Sequence, residues 1–457
     1  MADQAMELQT GSNAAVKGLP VHLNFFWAAS GNVAYALSQW GMIVALAKMT
    51  NSSMVGQFAL GIAISTPILS FASMQLRSVQ ASDARREYRF SEYLGLQMLA
   101  VSAALCVIAS IVLAGNYTVA TKMVILAVAV AKSIEAVGFT FYGLFQVNGR
   151  LDQVGQSMMI KGLLSVAALG VGLYLTQDVF WAVVMLALGW LTSMLIFDVR
   201  SSLPFRMSFE KEDALDGKKR FWSALRPSFV LHRHWSLSQL AFPLGMVMGL
   251  ISLNLQMPRY FVHSYLGEAQ LGVFSAMAYM TVGIVTLGDA LGYSATPTLS
   301  RLYVRDEVIN FRRLLSVLLI SSVVLGLAGV STAVLAGQWI LRFAYGSEYA
   351  SYANVFVWLM GAGAVAAVAS VLTAAITSCR NFRLQVPMFA LATGVNALIC
   401  WWLVPVAGLK GGAVAILAAS LVHVIFAGCV LLYLVQPHRW GAGAKECQSS
   451  ALLGVHS

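Results

Sequence analysis

The feature that most constrains this sequence is its succession of apolar runs, each long enough to cross a membrane. A helix needs about 20 apolar residues to span a hydrocarbon core of roughly 30 Å. Isolated strands cannot satisfy their backbone hydrogen bonds in lipid, so the spans are expected to be helices. The sequence therefore predicts an all-α integral membrane protein with about twelve transmembrane helices. Their approximate limits are 23–47, 54–76, 93–114, 119–145, 157–176, 179–198, 236–261, 270–299, 314–336, 353–378, 386–406 and 411–435.

Composition excludes the main soluble classes. Of the 457 residues, 59% are apolar and only 11% are charged, whereas soluble proteins carry about 25% charged residues. So few charges could not cover the surface of a soluble enzyme of this size. The alternating strands of an outer-membrane barrel would give a much weaker hydropathy signal. The five cysteines include no CxxC pair, so neither a disulfide framework nor a metal site is expected.

The distribution of lysine and arginine predicts the orientation in the membrane. If both termini are cytoplasmic, about 22 of the 29 basic residues lie on cytoplasmic segments and about five at outside ends. Lys132 and Lys161 fall within predicted spans. This bias follows the positive-inside rule. It also accounts for the net charge of +10 without a nucleic-acid partner.

The longest polar segment divides the chain into two halves. This segment, 200–235, is expected to be a cytoplasmic linker between six-helix lobes at 23–199 and 236–435. A polar N-terminal segment, 1–22, lacks the pattern of a cleaved signal peptide, so the first span is expected to be retained. A cytoplasmic tail, 436–457, is expected at the other end.

A short motif recurs in the two halves. Residues 55–59 read VGQFA and residues 271–275 read LGVFS, an offset of 216 residues. Each copy opens an even-numbered span, the second or the eighth. Together with the six-plus-six division, the repeat indicates a duplicated transporter whose two lobes are related by an axis along the membrane normal.

Several charges fall inside the predicted spans. Lys132 and Glu135 lie near the middle of span four, and their i, i+3 spacing places them on one helical face. Asp289 lies in span eight. A charge at mid-bilayer costs roughly 2.5–3.5 kcal/mol on insertion scales, so these residues should face the protein interior or a wet cavity. They indicate substrate contact or ion coupling; the alternative is that Lys132 and Glu135 merely neutralise each other. For His423 in span twelve, helix packing is the favoured interpretation.

The motifs of several enzyme classes are missing from the sequence. It contains no GxxxxGK[ST], HExxH or GxSxG motif, so no P-loop nucleotide site is expected. No cofactor or metal is expected either. The outside loops are short, and the longest covers about 337–352. This weighs against a membrane-bound polysaccharide polymerase or ligase, which remains the alternative from another class.

Two groups of motifs, one in each half, carry a family resemblance. The first half has VGQFALG at 55–61, Pro67, QLR at 75–77 and the charged loop 80–93. The second half has PRYF at 258–261, LG at 266–267 and LGVFSA at 271–276. These segments resemble bacterial polysaccharide flippases, which handle lipopolysaccharide O-antigen or exopolysaccharide. That family belongs to the multidrug/oligosaccharidyl-lipid/polysaccharide exporter superfamily, with the multidrug and toxic compound extrusion transporters and the lipid II flippase.

The resemblance implies a V-shaped pair of six-helix lobes around a central cavity. It implies movement of an undecaprenyl-diphosphate-linked oligosaccharide from the cytoplasmic to the outer leaflet of the bacterial inner membrane. The expected partners are this lipid-linked substrate, membrane lipids, a polysaccharide polymerase and a chain-length regulator. One feature departs from the lipid II flippases, which place arginines in the first helix. Here the first span offers only the polar residues Asn24, Asn32, Ser38 and Gln39.

On this interpretation, Lys132 and Arg259 are the candidates for contact with the diphosphate. Arg259 has an alternative role as a snorkelling anchor at the outside end of its span. Without an ATP site, transport must be driven by an ion gradient or by removal of product outside, and Glu135 and Asp289 are the candidate coupling carboxylates. The alternative within the same superfamily is a drug/cation antiporter, which would need an acidic, aromatic cavity.

Overall fold

A computed structural model describes residues 21–83, 86–207, 226–379 and 385–434. Most of the predicted N-terminal segment lies outside these ranges, as does the tail 436–457. The same holds for positions 208–225 of the predicted linker. The predictions made for those positions therefore lie outside the described residues.

The described part of the first half is helical. Its helices are separated by short turns, and the sixth predicted span continues through a π-helical turn, Met194–Val199, into a further short helix. The helices are α1 Val21–Met49, α2 Ser52–Ala72, α3 Leu76–Ser82, α4 Phe90–Ala114, α5 Val119–Val147, α6 Leu151–Thr176, α7 Val179–Ser193 and α8 Arg200–Met207.

The described part of the second half is also helical. It begins with a 74-residue helix, α9, whose backbone leaves the helical conformation at Gly267 (φ 83°, ψ −178°). Only glycine adopts this conformation readily. The break falls between the predicted spans seven and eight. The helices are α9 Leu231–Val304, α10 Val308–Tyr345, α11 Ser347–Ala350, α12 Ala353–Ser378, α13 Gln385–Ala407 and α14 Leu409–Leu434.

Ten helices in the described part of the chain are long and apolar enough to cross a membrane. One of these is α9, which contains both predicted spans seven and eight on either side of Gly267. Helix α1 matches the first predicted span, but it does not belong to these ten helices. The predicted all-α, multi-pass class is confirmed, and the count of twelve spans stays a prediction.

The described helices form two compact units. One contains the residues up to Ala45 and Ile68–Met248, and the other contains Leu46–Pro67 and the residues from Gly249 onward. The long helix α9 therefore contributes to both units. The lobe limits 23–199 and 236–435 stay a prediction.

The first unit holds α1 against α6 and the α5–α6 turn. The Asn24 side chain donates to the Gly149 carbonyl at 2.8 Å and accepts from the Leu151 amide at 3.0 Å. In the same turn, Arg150 donates through Nε and Nη2 to the Asp152 carboxylate at 2.9 and 2.8 Å, which raises the pKa of Arg150. These contacts fix the starting point of α6 relative to α1, and both helices carry residues of the site described next.

Glycines allow the same two helices to approach closely. A Cβ atom on Gly31 of α1 would lie 2.5 Å from the Cα of Gly155 on α6. Two turns further along both helices, a Cβ on Gly162 would lie 2.4 Å from the Ser38 hydroxyl oxygen. No larger residue fits at such separations, so the small residues set the distance between α1 and α6.

Candidate functional site

The first unit contains a buried group of charged side chains, which we call the charge cluster: Lys132 and Glu135 on α5, Lys161 on α6, and Asp198 in the π-helical turn after α7. Lys161 is 2% exposed and Asp198 is 0% exposed. Charged side chains at membrane depth are costly unless they pair with other groups. The cluster contains two ammonium groups and two carboxylates, so their formal charges cancel.

Lys132 and Glu135 form a direct ion pair. Lys132 Nζ donates to Glu135 Oε2 at 2.8 Å. The second carboxylate oxygen, Oε1, accepts the hydroxyl of Tyr35 on α1. The Lys132 side chain is 20% exposed, against 6% for Glu135. Lys132 is therefore the more exposed partner of this pair, and Glu135 is held from two sides.

Asp198 is joined to α5 and α6 by a chain of hydroxyl groups. The Ser157 hydroxyl donates to Asp198 Oδ1 at 2.5 Å. Ser157 and Tyr142 share a second hydrogen bond of 2.8 Å. Because Ser157 uses its one hydrogen on Asp198, Tyr142 is the donor in that bond. The chain of hydroxyls therefore ties the Asp198 carboxylate to α5 and α6 through a single donor, the Ser157 hydroxyl.

Aromatic rings surround the two ammonium groups. Lys161 Nζ lies 5.4 Å from the ring centroids of both Phe139 and Tyr142, and 5.9 Å from that of Trp190. Lys132 Nζ lies 5.3 Å from the Trp190 centroid. Cations this close to aromatic faces are stabilised by the ring quadrupoles. The two lysines are thus held in place partly by one shared indole.

The indole of Trp190 has a fixed orientation. Its Nε1 donates to the hydroxyl of Ser165 on α6 at 2.7 Å, and the side chain is 2% exposed. A buried tryptophan usually satisfies its N–H in this way. The ring face is therefore presented to Lys132 and Lys161 in one defined position.

Arg259, the other predicted phosphate contact, is buried in the second unit. It is 9% exposed, donates through Nη1 to Gln256 Oε1, and lies 5.6 Å from the ring centroid of Tyr279. Its Nε has no hydrogen-bond partner among the described residues. A snorkelling anchor keeps its head group in water, so this burial argues against the anchor role.

Asp289 lies in the second unit, whereas Glu135 lies in the first. Asp289 is half-buried and accepts the hydroxyl of Ser370 on α12. His423 on α14 shares a hydrogen bond of 3.0 Å with Thr373, and its ring meets the Phe389 ring edge to face with centroids 4.9 Å apart. These contacts fit the helix-packing role expected for His423.

Two members of the cluster were missed as site residues by the sequence analysis. Lys161 was placed in a span, and the insertion cost that singled out Lys132 applies equally to it. Asp198 was the last residue of predicted span six, where a carboxylate is unremarkable. In the structure Asp198 lies in the π-helical turn Met194–Val199 and is fully buried. Among the described residues, no group of three or more His, Cys, Asp or Glu could hold a metal ion.

Comparison with known proteins identifies the fold. No family model matches the chain. The lipid II flippase MurJ in an inward closed conformation superposes with a TM-score of 0.69 at 12% identity, covering 89% of this chain and 87% of that one. An inward-facing multidrug resistance MATE family transporter of the MOP superfamily gives a TM-score of 0.66 at 11% identity, covering 88% and 95%. This chain has the fold of the MOP-superfamily transporters.

A relative whose name states a role in biosynthesis matches almost the same share of this chain as these two structures do. The capsular polysaccharide biosynthesis protein CapF of Staphylococcus aureus is 22% identical over 410 residues, which are 88% of this chain and 97% of CapF. The MOP-superfamily fold confirms the predicted fold class with its two lobes. This fold is common to flippases and drug transporters. The choice between these two functions for this chain therefore depends on the similarity to CapF and on the charges inside the fold.

Proposed function

We propose that this chain is a flippase that moves undecaprenyl-diphosphate-linked oligosaccharide repeat units from the cytoplasmic to the outer leaflet of the bacterial inner membrane. The observation that carries the proposal is the similarity to CapF, which extends over nearly the full length of both chains. The transported units would serve polysaccharide biosynthesis. The chain acts as a transporter and not as an enzyme, with both termini in the cytoplasm.

The physical difficulty of this transport is the sugar-diphosphate head group. Its negative charges and hydroxyls must cross the hydrocarbon region while the polyprenyl tail stays in lipid. Buried cations supply attraction that bulk hydrocarbon lacks, because charges interact more strongly where water is excluded. Lys132 and Arg259 are the proposed phosphate contacts.

Lys132 binds the diphosphate by exchanging partners. Its side chain is the more exposed one of the Lys132–Glu135 pair, so an arriving phosphate oxygen can replace the Glu135 carboxylate. Glu135 keeps the hydroxyl of Tyr35 as a donor. The Trp190 ring keeps the Lys132 ammonium in position during the exchange.

The energy source is an ion gradient or the removal of product outside. Glu135 and Asp289 are the proposed coupling carboxylates, because each lies inside a predicted span and each is bound by a hydroxyl donor. Glu135 becomes free to take up an ion when Lys132 turns to the substrate. A polysaccharide polymerase and a chain-length regulator are the proposed partners that consume the product on the outer side.

A gene deletion tests the proposed function. In the deletion strain, lipid-linked repeat units should accumulate on the cytoplasmic leaflet, hidden from an impermeant lectin added to spheroplasts, and surface polymer should disappear. Wild-type complementation is the control. Loss of a polymerase or ligase would instead leave single repeat units exposed to the lectin, and that result would contradict the proposal.

The second candidate is a drug/cation antiporter, which the MATE-like fold supports. The charge cluster argues against it, because its two ammonium groups offset its two carboxylates, whereas a site for cationic drugs needs an excess of negative charge. If the deletion strain keeps its surface polymer and becomes drug-sensitive, the antiporter is correct and the flippase is not.

A further inference from the structure

Two polar residues of the first span have structural partners. Asn24 holds the α5–α6 turn, and the Ser38 hydroxyl donates to the Ala34 carbonyl of its own helix at 2.7 Å. Two others are Asn32 and Gln39, which we call the α1 amide pair. In the described part of the chain, no hydrogen bond joins either amide to another helix. Hydrogen bonding between helices therefore does not explain why α1 carries them.

The α1 amide pair lies on one side of the helix, next to the contact with the charge cluster. At 3.6 residues per turn, seven residues return the helix to within about 20° of the same direction. Tyr35 lies between the two amides in the sequence, and its hydroxyl binds the carboxylate of Glu135. Along the helix axis, Asn32 precedes Tyr35 by about 4.5 Å and Gln39 follows it by about 6 Å. The amides therefore flank the Lys132–Glu135 ion pair.

The exposed apolar side chains of α1 point in a different direction. Phe26, Val33 and Leu37 are each more than half exposed, and their face is turned by roughly 130° from that of the amide pair. Asn32 is also exposed, but its amide would lose hydrogen bonds in hydrocarbon, where no water replaces them. We therefore expect the apolar face to meet lipid and the amide pair to meet a polar partner.

The hydrogen-bonding capacity of the two amides is only partly used. Gln39 Nε2 is buried and has no hydrogen-bond partner among the described residues. Asn32 donates one hydrogen to the Ala28 carbonyl at 2.7 Å, which leaves its second hydrogen and its carbonyl oxygen. A primary amide both donates and accepts, as sugar hydroxyls do. Because the pair carries no charge, it suits the sugar and leaves the diphosphate to Lys132.

We propose that Asn32 and Gln39 exchange hydrogen bonds with the hydroxyl groups of the first sugar, the one attached to the diphosphate at Lys132. This inference rests on the proposed function and assigns sugar selection to α1. A site built to hydrogen-bond a substrate hydroxyl rejects a ligand that lacks it, because its own polar groups are then left unpaired. The amide pair therefore distinguishes one lipid-linked sugar from another, whereas Lys132 attracts any diphosphate.

The test measures binding of matched probes to the purified full-length chain in detergent by calorimetric titration. Three probes are farnesyl diphosphates esterified with glucose, galactose or N-acetylglucosamine. The fourth carries a methyl ester in place of the sugar, so it has the same lipid and the same charge. The ratio of the Kd of the methyl probe to that of the tightest sugar probe defines the sugar preference. Wild-type protein should show a sugar preference of about tenfold, as expected for two net hydrogen bonds.

Variants of nearly unchanged shape remove one amide at a time. Asn32→Leu and Gln39→Met should each lower the sugar preference about threefold, and the double variant should abolish it. The Kd of the methyl probe should stay at the wild-type value in all three. Ser38→Ala, which removes a polar group bonded within its own helix, is the matched control and should keep the full preference. Lys132→Met should weaken all four probes alike.

Thermal unfolding of the ligand-free protein distinguishes sugar contact from a structural role. Gln39→Met removes a buried donor that has no partner in the described part of the chain, so the Tm should not fall. A lower Tm with an unchanged sugar preference would overturn the proposed role of Gln39. If Asn32→Leu does not fold, the sugar preference of Gln39→Met decides the inference.

The remaining results separate this inference from the proposed function. Binding of the methyl probe with no sugar preference in the wild type would overturn the inference alone, as would a preference that persists in the double variant. Equal weakening of the methyl and sugar probes in the double variant would also overturn it, because the amides would then act on the diphosphate. Failure of the wild-type protein to bind any of the four probes would contradict the proposed function and the inference together.

Discussion

Gly56 and Gly272 occupy equivalent positions in the two copies of the repeated motif, and each lies against the backbone just before the other copy. A Cβ atom on Gly56 would lie 1.9 Å from the carbonyl oxygen of Glu268, and one on Gly272 would lie 1.9 Å from that of Ser52. Ser52 and Glu268 are separated by the same 216 residues as the two glycines. The same 216-residue shift therefore converts one contact into the other. The motif repeat is thus also a structural repeat within the second unit.

Substituting either glycine should destabilise the protein. Gly56→Ala or Gly272→Ala forces α2 and α9 apart, because a methyl group cannot lie 1.9 Å from a carbonyl oxygen. Overpacking of this kind costs about 1–3 kcal/mol. The Tm of the purified protein in detergent should fall for both variants. Gly283→Ala on α9, where the added Cβ meets nothing within 4 Å, is the control and should keep the wild-type Tm. Unchanged Tm values for both motif variants would contradict the close contact.

Variants of the Lys132–Glu135 pair distinguish a structural role of the two residues from a role in transport. Removing one partner leaves the other charge buried without compensation, which is more destabilising than removing both. The double variant Lys132→Met with Glu135→Gln should therefore be inserted at close to wild-type levels. Because it has lost Lys132, one of the two proposed phosphate contacts, it should export no surface polymer. Protein level and polymer must be measured together, and normal export by a well-expressed double variant would remove both residues from the site.

Trp190 is expected to stabilise the charge cluster through its ring face. Trp190→Leu removes the aromatic face from both lysines as well as the hydrogen bond to Ser165. Trp190→Phe keeps an aromatic face and loses the hydrogen bond. A desolvated cation–π contact contributes about 2 kcal/mol. Thermal unfolding should therefore show a larger loss of stability for Trp190→Leu than for Trp190→Phe. Equal losses would assign the stabilising effect to the hydrogen bond alone.

The charge bias of the sequence predicts which segments face the cytoplasm. In a cysteine-free background, a cysteine introduced by Ser347→Cys should react with an impermeant maleimide added to sealed cells. One introduced by Leu215→Cys should react only after permeabilisation. Labelling of each cysteine after permeabilisation is the positive control for that position. Labelling at position 215 but not at 347 in sealed cells would reverse the orientation.

Sequence reasoning reached the helical class and the Lys132–Glu135 pair because both depend on local properties, namely the length of apolar runs and the spacing along one helix. The rest of the charge cluster depends on how different helices pack. Lys161 meets Trp190 and Phe139 through the packing of α5, α6 and α7, which residue spacing does not reveal. Asp198 lies buried in a π-helical turn, and such a turn has no signature in the hydropathy pattern.

Transport of the head group across a bilayer is the central claim, and reconstitution tests it most directly. Purified protein is placed in vesicles containing a fluorescent undecaprenyl-diphosphate-linked repeat unit in both leaflets, and an impermeant glycosidase is added outside. Vesicles without protein should protect roughly half of the probe, the share in the inner leaflet. With wild-type protein the glycosidase should reach nearly all of it, while the Lys132→Met, Glu135→Gln variant should resemble the empty vesicles. Protection of half the probe in the presence of well-folded wild-type protein, both with and without an imposed ion gradient, would contradict the account.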